Sequence, residues 1–310
     1  MERIVDIATD NLHLSADRGF LKVSCQGKVS GQVPLDDIAA VVVHAHGVTY
    51  SNNLLVALSE RNAILVACGS NHRPQAWLAP ISGHHAQGAR MRAQWLAGKP
   101  LQKRLWQQIV KSKILMQAAA LGGFEGQGEP LRLLADSVRS GDPDNVEAQA
   151  ARRYWPQMMG ADFRRDQDAP GVNSMLNYGY AILRAAAARS VIASGLHPSM
   201  GIAHANRGND LALADDVMEP YRPLVDIAVK ELATHGLEAT VSPRVKRALA
   251  RLMTLDLETA KGTAPVFASL QHLCISLARS FETAEAELEL PAIPTPMHIA
   301  DFRRSILEGE

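Results

Sequence analysis

Residues 101–121, LQKRLWQQIVKSKILMQAAAL, mark the point at which the pattern of this chain becomes helical. Apolar residues recur there at helical spacing with basic residues between them, which predicts an amphipathic helix. The apolar positions are Leu105, Ile109, Leu115 and Met116. Further along, residues 145–159, 174–193, 223–234 and 265–281 have the same helical pattern. We expect irregular chain at 159–172, and also after Pro291, where further prolines follow closely.

Short apolar and β-branched runs fill the chain before about residue 80. These runs are residues 3–7, 20–24, 39–44 and 63–68, and glycines or asparagines separate them. They predict strands, with one short helix that follows the capping side chains of Ser51 and Asn52. The sequence therefore predicts an α+β protein. A small β-rich domain at residues 1–88 is followed by a larger, all-helical domain at residues 89–310.

The composition is that of a globular protein with a large core, since 47% of its 310 residues are hydrophobic. No apolar run reaches the length needed to span a membrane, and the N-terminus lacks the basic-then-apolar pattern of a signal peptide. Cys25, Cys68 and Cys274 are far apart and lack the CxxC spacing of metal sites. We expect reduced cysteines, a cytoplasmic location and no membrane partner.

Charge is unevenly distributed along the chain. The whole sequence is formally neutral, with 32 basic and 32 acidic residues, yet no residue between Glu60 and Glu125 is acidic. The basic residues of this acid-free segment are Arg61, Arg73, Arg90, Arg92, Lys99, Lys103, Arg104, Lys111 and Lys113. A cationic segment without carboxylates is suited to the phosphates of a nucleic acid. The alternative is a basic surface that is simply solvated.

Glu147 should lie on the side of its predicted helix that faces the protein. Its neighbours on that stripe are Ala151, Tyr154 and Met158. A buried carboxylate is unfavourable unless it is paired with a cation or binds a metal ion. The spacing of Asp144 and Glu147 also fits a capping box, in which both residues would satisfy backbone N–H groups at the start of the helix. The spacing alone leaves both interpretations open.

A second group of candidate residues follows the predicted helix at 174–193. His204 lies in a loop rich in Gly and Asn, and Asp215, Asp216 and Glu219 come after it. Asp215 and Glu219 are one helical turn apart, so both could face one point. Each residue alone has an ordinary explanation, because a loop histidine is usually at the surface and acids beside a helix start often act as caps.

Taken together, these residues indicate a site for a divalent metal. Hard carboxylate oxygens suit Mg²⁺, and Mn²⁺ accepts imidazole more readily. Glu147 with the distant pair His204 and Glu219 would leave coordination positions free for water and phosphate. No CxxC, HExxH, P-loop or GxSxG pattern offers a competing site. The residues alone therefore predict a metal-dependent enzyme that acts on nucleic acid.

Four stretches carry a resemblance to a known family. They are LWQQIVKSKILMQA at 105–118, NVEAQAARRYWPQMMG at 145–160, LNYGYAILRAAAARSVIASGLHPSMGIAHANRGND at 176–210 and LADDVMEPYRPLVD at 213–226. In this order they closely resemble the CRISPR-associated adaptation integrase, the universal nuclease of spacer acquisition. The variant is similar to the one that accompanies single-effector, RNA-guided (type II) systems. The resemblance extends from the N-terminal strands to about residue 240.

For the site, the resemblance implies that Glu147, His204 and Glu219 are catalytic and hold Mg²⁺ or Mn²⁺. Some members place an Asp nearer the His, so Asp215 or Asp216 could supplement or replace Glu219. We expect these two residues to support the ligands instead. The implied reaction is a transesterification. The free 3′-hydroxyl of a short DNA fragment attacks a phosphodiester at the edge of a CRISPR repeat, once on each strand.

The resemblance also implies how the protein assembles. The β-rich domain would form a homodimer, and the helical domain would carry the catalytic site. Two such dimers would be bridged by a dimer of a small companion adaptation protein. The resulting hetero-hexamer would span the captured double-stranded DNA and engage the CRISPR repeat. The RNA-guided effector nuclease is a further candidate partner.

We expect the acid-free segment to bind the DNA backbone through Arg90, Arg92, Lys103 and Arg104, with Arg73 as a weaker candidate. Four aromatic residues could stack on splayed bases or could belong to the core: Tyr154, Trp155, Tyr178 and Tyr180. Two other functions remain open. One is a hydrolytic nuclease for branched or single-stranded DNA, and the other is a non-catalytic DNA-binding scaffold. The sequence does not separate joining from cutting.

Overall fold

The computed structural model describes residues 3–69, 74–124, 126–204, 208–237, 241–259 and 262–307. Within these ranges, the N-terminal part forms two four-stranded sheets. Their strands are β1 (Arg3–Ile7), β2 (Leu12–Asp17), β3 (Phe20–Cys25), β4 (Lys28–Pro34), β5 (Ile38–Val43), β6 (Thr49–Tyr50), β7 (Ile64–Cys68) and β8 (Pro74–Leu78). The predicted short helix is α1 (Asn52–Glu60), and the Ser51 side chain caps it by accepting a hydrogen bond from the N–H of Leu54.

The sheet with strand order β1-β5-β7-β8 forms a wall between two hydrophobic cores. Its strand β5, IAAVVV, is buried along its whole length. Val41 and Val43 pack into the core of the N-terminal part, whereas Ala40 and Val42 pack into the core of the helical part. An unbroken apolar run is typical of a strand that is covered on both faces. The division of the chain at residue 88 stays a prediction.

The remaining described chain is mainly helical, and the predicted α+β class is confirmed. The helices are α2 (Gln87–Leu96), α3 (Lys99–Gly122), α4 (Glu129–Ser137), α5 (Val146–Met159), α6 (Val172–Ala193), α7 (Ala212–Met218), α8 (Arg222–Thr234), α9 (Pro243–Arg251), α10 (Val266–Thr283) and α11 (Pro296–Leu307). The five helices predicted from apolar spacing correspond to α3, α5, α6, α8 and α10, with ends that differ by two residues at most.

Two parts of the helical region differ from the expectation. Strands β9 (Asp256–Thr259) and β10 (Gly262–Pro265) pair antiparallel, so this region is not entirely helical. The tail after Pro291, which we expected to be irregular, contains α11. A proline is compatible with the first turn of a helix, because the N–H that it lacks has no partner there. Thr295 supplies the cap, since its carbonyl accepts from the N–H of Ile299 and its hydroxyl from that of His298.

Helix α3 connects the elements that carry the candidate site residues. It packs against α5, against α8 and against the single 3₁₀ turn Glu219–Tyr221 that joins α7 to α8. Helix α3, the last part of the acid-free segment, therefore contacts both the helix that bears Glu147 and the turn that bears Glu219. None of the helices in the described ranges is both long and apolar enough to cross a membrane.

Candidate active site

Glu147 and Glu219 meet at one cation, the ammonium group of Lys113. The Lys113 Nζ atom lies 2.5 Å from Glu147 Oε1 and 2.6 Å from Glu219 Oε2. Glu147 is in the first turn of α5, Glu219 begins the turn before α8, and Lys113 is in the middle of α3. The Glu219 side chain is 3% exposed and that of Lys113 is 11% exposed, so the pair is nearly sealed from water.

The capping box that we considered for Glu147 does not form. Asp144 instead pairs with Arg139 through two hydrogen bonds of 2.7 and 2.8 Å. The N–H groups of Val146 and Glu147 donate to the carboxylate of Asp142, which takes over the capping role. The side chain of Glu147 is therefore free to reach Lys113 across the interface between α5 and α3.

The charges at this point compensate one another. Burial opposes ionisation of Glu219, but the positive charges of Arg222 and Lys113 outweigh it and hold the pKa of Glu219 below its usual value. Arg222 reaches the other oxygen of the same carboxylate, with Nε 3.1 Å from Oε1. Burial likewise opposes the charge of Lys113, yet Glu219 and Glu147 raise its pKa. The buried carboxylate of Glu219 and the ammonium of Lys113 are thus both ionised at neutral pH.

His204 is held in place by Asp216. The Asp216 carboxylate is fully buried and accepts hydrogen bonds from the N–H groups of Ile202 and Ala203, at 2.5 and 3.2 Å. Its Oδ1 lies 2.6 Å from His204 Nδ1. This hydrogen bond raises the pKa of His204, and burial only partly opposes the effect. It also makes Nδ1 the protonated nitrogen, so Nε2 of the neutral ring keeps a lone pair for a ligand.

The loop that carries His204 approaches Asp216 closely, and Gly201 makes this possible. A Cβ atom at position 201 would lie 2.5 Å from the carbonyl oxygen of His204 and 3.0 Å from Asp216 Oδ2. Those distances are too short for any side chain, so the glycine is required by the backbone path. The ring of His204 meets the buried Trp106 edge-to-face, with 5.7 Å between ring centroids.

Asp215 points to a different partner from Asp216. Arg184 donates to both of its oxygens, at 2.6 and 2.8 Å, and the Asn209 amide donates to it at 2.7 Å. Both aspartates that we considered as alternative ligands are therefore occupied by contacts within the protein. Neither contacts Lys113 among the interactions of the described residues.

The donor set suits a divalent metal in its chemistry, because two carboxylates and an imidazole are typical ligands of Mn²⁺ and, less readily, of Mg²⁺. The ammonium of Lys113 contacts both carboxylates, as a bound cation would. In the arrangement seen here, no three His, Cys, Asp or Glu side chains of the described chain gather closely enough to hold a metal ion. Metal binding by Glu147, His204 and Glu219 would therefore require these side chains to draw closer together and Lys113 to leave the two carboxylates.

A cavity of about 470 Å³ opens beside Lys113. Its lining includes Arg165, Arg184 and Arg222, together with the indole of Trp155. Arg165 is fixed by two side-chain amides, since it donates to Asn173 and Asn177 at 2.9 and 2.6 Å. Guanidinium groups on a cavity wall suit phosphate. The same lining contains Asp215 and Asp226, and Asp215 already pairs with Arg184, so Arg165 and Arg222 are the guanidinium groups that favour an anion there.

The basic residues expected to bind DNA have different surroundings. Arg92, Lys103 and Arg104 are exposed on α2 and α3. Arg90 is largely buried, and its guanidinium contacts Ser194 O at 3.0 Å, His84 Nε2 at 3.1 Å and Glu282 at 3.3 Å, which fastens α2 to α6 and α10. Arg73 lies outside the described residues.

The aromatic residues that could have stacked on bases mostly belong to the core. Tyr154 and Tyr178 are fully buried. Tyr154 donates to Asp226 Oδ2 at 2.9 Å, and Tyr180 donates to Oδ1 of the same carboxylate. Trp155 is partly buried and lines the cavity. The core interpretation is therefore confirmed for Tyr154 and Tyr178.

Lys113 is the residue that the sequence interpretation missed as part of the site. We counted it only among the cations of the acid-free segment. Its position on α3 predicts burial, because it lies on the same helical stripe as Ile109 and Met116, which are both buried. A lysine on the buried stripe of a helix needs a carboxylate partner, and Glu147 and Glu219 are two such candidates in the sequence.

Comparison with known proteins places the chain in a family. The sequence profile described as "CRISPR associated protein Cas1" matches residues 5–240. The chain belongs to the Cas1 family. A CRISPR-associated endonuclease Cas1 of Neisseria meningitidis serogroup C (strain 8013) is 36% identical to it over 284 residues, which cover 90% of this chain and 93% of the relative. CRISPR-associated endonuclease Cas1 2 of Pyrobaculum aerophilum is 28% identical, with 90% of this chain and 99% of the relative covered.

Solved structures share the fold of this Cas1-family chain. A casposase bound to integration product superposes with a TM-score of 0.80, 19% identity and 99% of each chain covered. A Cas1 protein from Thermotoga maritima gives a TM-score of 0.66 at 13% identity, with 94% of this chain and 99% of that chain covered. A Cas6-RT-Cas1–Cas2 complex gives 0.75 at 19% identity, over 94% of this chain and 36% of that chain.

Proposed function

We propose that this Cas1-family chain is a divalent-metal-dependent DNA endonuclease and integrase that inserts short DNA fragments as new spacers into a CRISPR array. The observation that carries the proposal is the convergence of Glu147 and Glu219, from separate elements, within 2.6 Å of one ammonium nitrogen. The cavity beside this point is lined by guanidinium groups. The names of the relatives, CRISPR-associated endonuclease Cas1, support the same function.

Glu147, His204 and Glu219 would hold Mg²⁺ or Mn²⁺ once Lys113 leaves the two carboxylates and the three side chains draw closer together. When bound, the ion would polarise a phosphoryl oxygen and stabilise charge on the attacking or leaving oxygen. Asp216 fixes the tautomer of His204 so that Nε2 is the nitrogen available for binding. Arg165, already oriented by its two asparagine partners, would offset the charge of a phosphate in the cavity.

The reaction that we propose is attack by the 3′-hydroxyl of a fragment on a phosphodiester at the end of a CRISPR repeat. The protein supplies no covalent nucleophile in this scheme. It aligns the hydroxyl with the phosphodiester and compensates the charge that develops in the transition state. The likeness in fold to a casposase bound to integration product is in keeping with joining rather than cutting alone.

We also propose that the chain acts as a homodimer in which residues 1–88 form the contact, together with a small companion adaptation protein and double-stranded DNA. The fold neighbours include a complex described as Cas6-RT-Cas1–Cas2, which supports a companion protein. The RNA-guided effector nuclease stays a candidate partner. Arg92, Lys103 and Arg104 are the exposed cations that would contact the DNA backbone.

The test is the substitution Glu147→Gln in a strand-transfer assay. The substrates are a labelled 3′-hydroxyl duplex and a supercoiled plasmid with a repeat array, with Mg²⁺ or Mn²⁺. We expect joining to fall at least about 100-fold, because one charged ligand is removed, while DNA affinity stays near that of wild type. Glu129→Gln is the matched control, since Glu129 is also an acid in the first turn of a helix but is exposed.

Two outcomes would favour the other functions. Nicking of the plasmid without attachment of the labelled fragment would indicate a hydrolytic nuclease. A loss of DNA binding in Glu147→Gln that is as large as its loss of joining would indicate a DNA-binding scaffold, provided that the wild type does not respond to added metal or to a chelator.

A further inference from the structure

The contacts of Lys113 are unusual for a structural lysine. Its ammonium group contacts both carboxylates for which we propose metal binding, at 2.5 and 2.6 Å, and its side chain is 11% exposed. The neighbouring lysine on the same helix, Lys111, has an ordinary surface pair with Asp136 at 2.9 Å, where both side chains are largely solvated. One cation of the acid-free segment, Lys113, thus lies within the candidate site itself.

Glu219 is nearly buried and Glu147 is partly buried, with 26% of its side chain exposed. Two carboxylates this close to each other in such surroundings repel unless a positive charge lies between them. Arg222 compensates one oxygen of Glu219, but only Lys113 contacts both acids among the interactions of the described residues. A divalent ion bound by Glu147 and Glu219 would need Glu219 Oε2, the oxygen that Lys113 contacts, because Arg222 lies at Oε1. An ammonium and a metal ion cannot share these positions, because both are cations that require close contact with the same oxygens.

We propose that Lys113 is the resident cation of the metal-free site and competes directly with the divalent metal for Glu147 and Glu219. This inference rests on the proposed metal-dependent function. In the metal-free protein Lys113 keeps the two carboxylates together and preserves the site. When a divalent ion binds, the Lys113 side chain leaves the carboxylates and turns toward the adjoining cavity, whose lining it already shares with Arg165 and Arg222.

The first experiment measures Mn²⁺ binding to the full chain by electron paramagnetic resonance of the free ion. Lys113→Met removes the charge and keeps an unbranched side chain of similar length. Because Mn²⁺ no longer has to displace an ammonium group, we expect the Kd for Mn²⁺ to be lower in Lys113→Met than in the wild type by about tenfold or more. Lys111→Met is the control on the same helix and should leave the Kd unchanged. A purely structural lysine would give the opposite result, since its removal would loosen the site and weaken binding.

The second experiment uses the wild-type protein and does not depend on the folding of a variant. Acetylation of lysines is followed by mass spectrometry with and without Mg²⁺. We expect the acetylation rate of Lys113 to rise several-fold when Mg²⁺ is present, because the ammonium is released from its carboxylates, whereas Lys111 should react at the same rate in both conditions.

The outcomes separate the two proposals. Equal Mn²⁺ affinity in wild type and Lys113→Met, or a Lys113 acetylation rate that ignores bound Mg²⁺, would overturn the competition while leaving the metal site intact. Failure of both proteins to bind Mn²⁺ would overturn the proposed metal dependence and the competition with it. Tighter binding in Lys113→Met than in wild type supports both.

Discussion

Asp226 is a single side chain whose surroundings oppose its charge. It is buried below Tyr154 and Tyr180, which both donate hydrogen bonds to it. Burial raises its pKa to about 6, and the two hydrogen bonds and the charge of Arg222 only partly offset this. Its usual pKa of 3.8 applies in the unfolded chain. The folded protein therefore retains a proton between these two values that the unfolded chain has released.

From this follows a dependence of stability on pH. Stability contributed by Asp226 is greatest at low pH and declines as the pH rises from 3.8 toward about 6, because the unfolded chain ionises in this range before the buried carboxylate does. We expect Asp226→Asn to remove this dependence. The difference in free energy of unfolding between variant and wild type should shift in favour of the variant by about 2 kcal/mol from pH 4 to pH 8.

The measurement is urea denaturation of both proteins across that pH range. Other titrating groups affect both proteins equally, so the difference isolates Asp226. Asp210→Asn, an exposed substitution, should show a constant difference. A constant difference for Asp226→Asn as well would mean that the carboxylate keeps its ordinary pKa in the fold.

At the scale of elements, apolar periodicity was sufficient to predict five helices but not the pairing of their charged residues. Helices α5 and α6 follow from repeated apolar positions that are local in sequence. The contact of Lys113 with Glu219 joins residues 106 positions apart, and no local pattern encodes it. The hairpin of β9 and β10 was missed because each strand has only four residues, too few to establish an alternation. The prolines after Pro291 predict irregular chain, but Pro296 is the first residue of α11, where a proline is compatible with a helix.

The acid-free segment forms ion pairs although it contains no acid. Arg61 pairs with Asp36 and Lys111 pairs with Asp136, in both cases through acids from other parts of the chain. The local charge balance predicts a basic surface. Acids from other parts of the fold pair with some of its cations, so fewer basic residues are left to form that surface. Lys99 stays exposed on α3, together with Arg92, Lys103 and Arg104, the three exposed cations on helices α2 and α3 that we expect to bind DNA.

If these three cations bind the phosphates of DNA, each neutralised phosphate releases condensed counterions. Replacing all three by alanine should weaken DNA binding and reduce the slope of log affinity against log salt by about 0.9 for each phosphate that the variant no longer neutralises. The measurement is fluorescence anisotropy with a labelled duplex over a range of salt concentrations. A double variant of Arg61 and Lys111 to alanine should have little effect, because both are already paired. A slope unchanged in the triple variant would locate the DNA path elsewhere.

At the scale of the whole molecule, strand β5 makes the two hydrophobic cores interdependent. Neighbouring valines on this strand serve different cores: Val41 packs with the N-terminal strands and Val42 with the helices. Both are fully buried. A boundary near residue 88 therefore divides the strand-rich part of the chain from the helical part. The sheet that contains β5 nevertheless contributes residues to both hydrophobic cores.

Val41→Ala and Val42→Ala should each lower the free energy of unfolding by about 2 kcal/mol, because each removes two buried methyl groups and leaves a cavity. Since the shared sheet couples the cores, we expect both substitutions to speed hydrogen exchange in β2 and β3 and in α6 alike. Hydrogen exchange mass spectrometry measures all of these segments together. Val29→Ala, an exposed change on β4, is the control. Faster exchange confined to the N-terminal strands in Val41→Ala, and to α6 in Val42→Ala, would mean that the two parts unfold independently and that the boundary near residue 88 also separates two cooperative units.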